Sequence, residues 1–267
     1  MLILGDWIVE HLLDIQAIPG LGNLGVSKHV IAMWAVALLL VLTFLPMGRF
    51  YAKGDPVPRG ILVNLLESIC LFLRDEVARP FLGKAGDKYL PVLWTFFFFI
   101  LYCNLLGLLP NPIPTPTMHH GQVVWHEFGL VTATGQIEVT GTLAFMAFFW
   151  WHGLGIREQG LIPYIKNIVP SGLPLPLIPI LFVIEIFGHF IKALALMIRL
   201  WANMMGGHTV LYVVMGMTFI FGYVMAPASV VLGVAVYFLE IFVAFLQAYV
   251  FTFLVTVFLG GALHPDH

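Results

Sequence analysis

The sequence predicts an all-α integral membrane protein with about five membrane-embedded passes and one interfacial amphipathic helix. Three observations carry that reading: 60% of the 267 residues are hydrophobic, only 10% are charged, and the apolar residues gather into runs of spanning length. An ordinary soluble domain is about one-quarter charged, and 12 basic plus 14 acidic side chains are too few to give a soluble fold of this size a charged surface. Mean hydropathy is +0.98, which suits a surface in contact with lipid. The formal net charge of −2 provides no basic patch for nucleic acid.

Crossing ~30 Å of hydrocarbon takes about 20 apolar residues in a helix, and five runs meet or approach that length. The first occupies residues 27–46 and the second 90–109, the latter containing TFFFFILYCNLLGLL. A third, residues 141–155, is short and needs its flanks to span. The fourth (174–205) and fifth (222–263) are long enough to tilt strongly or to contain bent turns.

Between the first two spans, residues 61–82 read ILVNLLESICLFLRDEVARPFL, with Glu67, Arg74, Asp75, Glu76 and Arg79 interrupting the apolar positions. That pattern is an interfacial helix. Residues 110–135 contain NPIPTPT and several histidines, and read as an ordered or extended loop outside the lipid. The chain is thus organised as an extracytoplasmic N-terminal segment (1–26), a first span with a cytoplasmic interfacial helix (27–89), a hairpin of spans (90–172) and a long helix pair (173–267). The opening MLILGDWIVEHLLDIQ has acidic residues where a cleaved signal would have lysine or arginine, so no such signal is expected. Cys70 and Cys103 sit in apolar segments with no CxxC spacing, and read as packing residues.

Orientation follows from lysine and arginine, which concentrate on cytoplasmic flanks. Arg49, Lys53, Arg59, Arg74, Arg79, Lys84 and Lys88 lie between the first two spans, and Arg157 and Lys166 between the third and fourth. The 110–135 loop and the 207–223 connection contain neither residue. The N-terminus is therefore expected outside and the C-terminus in the cytoplasm, with Lys28 the one mild exception.

The fourth span carries Glu185, His189, Lys192, Arg199 and Asn203 in IEIFGHFIKALALMIRLWANMMGGH. At 100° per residue the last four fall at about +40°, −20°, −40° and 0° from Glu185, a narrow polar stripe roughly 27 Å long. Arginine keeps its charge at every accessible pH, and its placement at mid-bilayer costs from about 2.5 to more than 10 kcal/mol by different measures. Arg199 therefore needs a compensating group: helix carbonyls or a headgroup in a merely structural role, a carboxylate or wet cavity in a functional one. The fifth span adds Glu240 and Gln247, seven residues apart and nearly on one face. Glu240 and His208 are side chains able to take and release a proton. His119, His120, His126 and Glu127 lack the spacing of a metal motif such as HExxH, so no metal site is read there. His152 and Glu158 read as interfacial.

RLWANMMGGH, residues 199–208, resembles the signature of subunit a of F-type ATP synthases, RLxxNxxxG followed by a polar side chain. NLLGLLP, EIFGHFIKALALMIRL and LQAYVFTFL extend the likeness over most of the chain after Leu90. The resemblance implies a membrane stator subunit whose last two helices tilt against a c-ring of small hairpin subunits, each with a mid-membrane carboxylate. It further implies subunit b of the peripheral stalk and the soluble head as partners, lipid as the surroundings, and no cofactor. Arg199 matches the family's essential arginine. Asn203, His208, Glu240 and Gln247 match the half-channel open to the outside, and Glu185, with His189 and Lys192 on the same stripe, the cytoplasmic half-channel. Many bacterial members have a carboxylate where His208 stands and an imidazole where Glu240 stands; the exchange implies that the two side chains meet in space.

Three other readings remain open on the sequence. A separate ion or solute transporter commonly shows two related halves with interrupted helices, and no such symmetry is visible here. A membrane-embedded enzyme would rest on the loop histidines. A passive scaffold predicts that Glu185, Arg199 and Glu240 can each become apolar without loss.

Overall fold

In lipid the backbone must satisfy its own N–H and C=O groups, and a helix does so within one segment. The computed structural model, which describes residues 28–52, 60–109, 114–119, 122–127, 132–168, 174 and 177–263, is built on that rule. Among the described residues, five helices are long and apolar enough to cross a membrane: His29–Arg49, Gly86–Leu108, Ile137–Gln159, Ile178–Thr218 and Tyr223–Leu263.

Helix α1 (Lys28–Ala52) runs through Pro46, where the sequence suggested an end. Proline deletes one hydrogen bond and crowds the carbonyl four residues back, a local cost that membrane helices tolerate. Next come α2 (Ile61–Phe72), a π-helical turn (Leu73–Ala78), α3 (Arg79–Leu82) and a 3-10 turn (Lys84–Tyr89). The wide π turn buries Leu73, Val77 and Ala78. Its charged side stays outside: Asp75 accepts from Arg74 Nε at 2.9 Å and from Arg79 Nη1 at 2.8 Å, while Arg79 Nη2 reaches Asp87 at 3.0 Å. The bond from Arg74 holds the Asp75 carboxyl below the usual carboxylate range. Burial, with Glu67 adding to it, pushes the Cys70 thiol up to about 12.

Helix α4 (Leu90–Leu108) is the phenylalanine-rich span. The loop after it contains an antiparallel hairpin, β1 (Pro114–His119) with β2 (Gln122–Glu127), in register Pro114 to Glu127 and His119 to Gln122. Helix α5 (Ile137–Gln159) is longer than the apolar run inside it, so its flanks complete the span. After α6 (Leu161–Asn167) come α7 (Ile178–Phe221) and α8 (Ala226–Leu263), of 44 and 38 residues.

The segment 207–223, expected from the sequence to be a connection, is a correction: it is helical to Phe221, and the chain turns at Tyr223–Met225. Gly206 and Gly207 lie within the helix. The reason at Gly207 is space, since a Cβ there would stand 2.5 Å from Glu240 Oε1.

Two compact units divide the described residues, with boundaries inside the helices. One comprises residues within 28–42, 99–139 and 200–247; its core includes Ala32, Val36, Cys103 and Ala133, with Tyr102 and Leu106 against them. The other comprises residues within 43–98, 140–199 and 248–263, where Phe96 meets Trp150 and Phe251, and Trp151 meets Phe258.

Candidate functional site

The first unit brings α7 and α8 together at His208 and Glu240. His208 Nδ1 lies 3.9 Å from Glu240 Oε1, and the Glu240 side chain is 6% exposed. That separation is a close charge contact rather than a formed hydrogen bond. The other ring nitrogen, Nε2, is 2.6 Å from the Thr132 hydroxyl. Glu240 Oε2 is buried with no hydrogen-bond partner among the described residues. An imidazole held between a hydroxyl and a carboxyl can accept a proton at one nitrogen and release one from the other. Gly207 makes the approach possible by leaving room for the carboxyl.

Around this pair the unit carries a second polar set. Asn104, fully buried on α4, donates to the Ala244 carbonyl at 3.4 Å and accepts from the Thr134 hydroxyl at 2.6 Å. Tyr237 donates its hydroxyl to the Leu108 carbonyl at 2.9 Å. Gln247 is buried and Asn203 half-buried. Sequence reasoning missed Thr132 and Thr134, which lie in a short turn with no helical period to single them out. Asn104 stands in the NLLGLLP motif, and a polar amide within an apolar run is the signal that marks it.

The second unit carries Glu185, His189, Lys192 and Arg199. All four lie on α7, the first three half-buried. The His189 ring lies beside that of His152 on α5, centroids 4.9 Å apart and planes inclined by 58°, and Lys192 Nζ lies 5.5 Å from the Phe258 ring. Arg199 is exposed. On one side of it, within about 100° around the helix, lie Ile191, Ala195, Ile198 and Ala202, all exposed as well, while Leu196 and Leu200 on the other side are buried. Arg199 therefore stands where the polar stripe meets a bare apolar face, flanked by two alanines. Among the described residues it has no ion-pair partner.

No group of three metal-ligating side chains occurs among the described residues. His119 and His126 fall on the hairpin strands, where only the backbone is described, and His120 lies outside the described residues.

Residues 30–260 match the family model of the ATP synthase A chain. The chain is similar to ATP synthase subunit a of Myxococcus xanthus (strain DK1622), 40% identical over 94% of this chain and 80% of that protein. It is likewise similar to ATP synthase subunit a of Chloroherpeton thalassium (strain ATCC 35110 / GB-78), 37% identical over 97% of this chain and 72% of the relative. ATP synthase subunit a 2 of Chlorobaculum tepidum (strain ATCC 49652 / DSM 12025 / NBRC 103806 / TLS) is 37% identical over 98% of this chain and 74% of its own length.

Proposed function

This chain belongs to the ATP synthase A chain family, and on that premise we propose that it carries protons through two offset half-channels to and from the carboxylates of a c-ring. It is a multi-pass membrane component of the ATP synthase complex, with a proton-translocating stator role. The observation that carries the mechanism is Arg199: a permanent charge on the exposed face of a membrane-length helix, with no ion-pair partner among the described residues of its own chain. A charge so placed needs an opposite charge from elsewhere, and a ring carboxylate passing Ala195 and Ala202 supplies it.

In this reading Arg199 draws each arriving carboxylate into its ionised form and repels a continuous proton wire. Asn203, His208, Glu240 and Gln247 load protons from the outside, and Glu185, His189 and Lys192 lead them to the cytoplasm. Between the two, a proton rides the ring as part of a neutral acid. Each charge that crosses 100 mV delivers about 2.3 kcal/mol, and the offset of the two paths turns that energy into rotation. The chemistry of ATP belongs to the soluble head, and this subunit has no catalytic site of its own. Subunit b anchors it to the peripheral stalk. The N-terminus lies outside and the C-terminus in the cytoplasm of a bacterial inner membrane.

The test is a cysteine at Ala195 or Ala202, with Cys70 and Cys103 replaced, and a second cysteine beside the ring carboxylate. Oxidation is expected to cross-link the two subunits in an assembled complex. Absence of any cross-link from both positions contradicts the assignment.

A further inference from the structure

The corner between α5 and α6 places a second imidazole against the polar stripe. Gly160, at φ 85°, takes the left-handed conformation that reverses the chain there. Gly155, in the turn before it, leaves the space that the Tyr164 ring fills: a Cβ at that position would lie 2.5 Å from Tyr164 Cε2. Tyr164, 8% exposed, thereby brings its hydroxyl within 2.5 Å of His152 Nδ1. The opposite nitrogen, His152 Nε2, is buried and has no hydrogen-bond partner among the described residues. The His152 ring stands 4.9 Å, centroid to centroid, from His189, which shares the stripe with Glu185 and Lys192. All of these side chains belong to one unit.

Packing alone does not account for a histidine here. Phe148 and Trp151 surround it, with ring centroids 4.3 Å and 5.7 Å away, so an apolar aromatic suits the space. A buried ring nitrogen without a partner is destabilising, a cost that phenylalanine would avoid. What the imidazole adds is an unpartnered nitrogen on a ring that neighbours a second imidazole, with its other nitrogen fixed.

We propose that His152 is a proton-relay residue of the cytoplasmic half-channel, exchanging protons with His189, and that Tyr164 is its positioning residue. The proposal rests on the proton-carrying reading above. In the synthesis direction a proton leaves His189, adds to His152 Nε2 and departs from the same nitrogen toward the cytoplasm, which restores the neutral ring. The Tyr164 hydroxyl keeps Nδ1 engaged throughout, so the ring holds its orientation. The groups facing His152 are Tyr164 from α6 and His189 and Lys192 from α7.

The experiment uses inverted membrane vesicles containing the whole complex, with assembly quantified for every variant, and reads coupled ATP hydrolysis and potential-driven proton flux. His152→Ala and His152→Gln are expected to slow both on the order of tenfold, and millimolar imidazole on the cytoplasmic side is expected to restore His152→Ala. Imidazole added to wild type and to Arg199→Ala sets the background. Tyr164→Phe keeps the ring and is expected to shift the pH profile of flux. Undiminished flux in both His152 variants, a loss that imidazole does not relieve, or full restoration by His152→Phe overturns the proposal. If the His152 variants do not assemble, an unchanged pH profile in Tyr164→Phe overturns it. Normal pumping by Arg199→Ala would strike the underlying reading instead, whereas a dead Arg199→Ala beside a normal His152→Ala would strike His152 alone.

Discussion

Glu240 and His208 show how a site depends on pairs rather than on single side chains. With 3.9 Å between them, replacing either one leaves the other without its counterpart. His208→Glu and Glu240→His alone are each expected to lower proton pumping on the order of tenfold, while the double exchange restores a carboxyl and an imidazole in contact and recovers most of it. A double-mutant cycle on ATP-driven acidification measures that coupling; additive losses would show that the two act independently. Gly207→Ala is expected to displace the carboxyl, because the new Cβ would lie 2.5 Å from Oε1. Overpacking of this kind costs about 1–3 kcal/mol, read as a lower unfolding temperature together with slower pumping. His208 and Glu240 were legible in the sequence because titratable groups are rare in apolar runs. Thr132 was not, since a threonine in a turn gives no sign of which ring nitrogen it will meet.

Among the elements, the interfacial stretch from α2 to the 3-10 turn holds its charged side together through Asp75, Arg74 and Arg79. Asp75 sits below its usual range through the Arg74 bond. The unfolded carboxyl titrates at about 3.9, so this contribution is fully present above that pH and is lost as pH falls through the lower folded value. Amide exchange over residues 61–89, corrected for intrinsic rates, is therefore expected to stay constant from about pH 7 to 5 and to quicken only below about 4. Arg74→Ala moves the onset upward, and an unmoved onset would contradict the assignment to Arg74. The existence and order of the helices were readable from the apolar runs and the charges that punctuate them. Their ends were less so: Pro46 and Gly207 are local breakers that neighbouring structure overrides, the first within a membrane helix and the second for the sake of a side chain on another helix. The strand pairing of the hairpin was likewise hidden in a proline-rich segment that reads only as extended.

Across the whole molecule the residues assigned to the outside path (Asn203, His208, Glu240, Gln247) fall in one unit, and those assigned to the cytoplasmic path in the other. Both cysteines are buried, Cys70 at 6% and Cys103 at 2% exposure. Neither is expected to react with a water-soluble maleimide in intact membranes at about pH 7.5, and both are expected to react once detergent has unfolded the chain; labelling of Cys103 in the native complex would show that its unit is packed differently. The bare apolar faces of α7 and α8, with Phe187 at 63% and Phe238 at 67% exposure, need lipid or another subunit to cover them, and the sequence alone does not say which face receives which. The most direct measurement is ATP-driven acidification of inverted vesicles carrying Arg199→Ala beside wild type, with assembly checked in parallel. Loss of pumping in an assembled complex is the predicted result, and normal pumping would contradict the account.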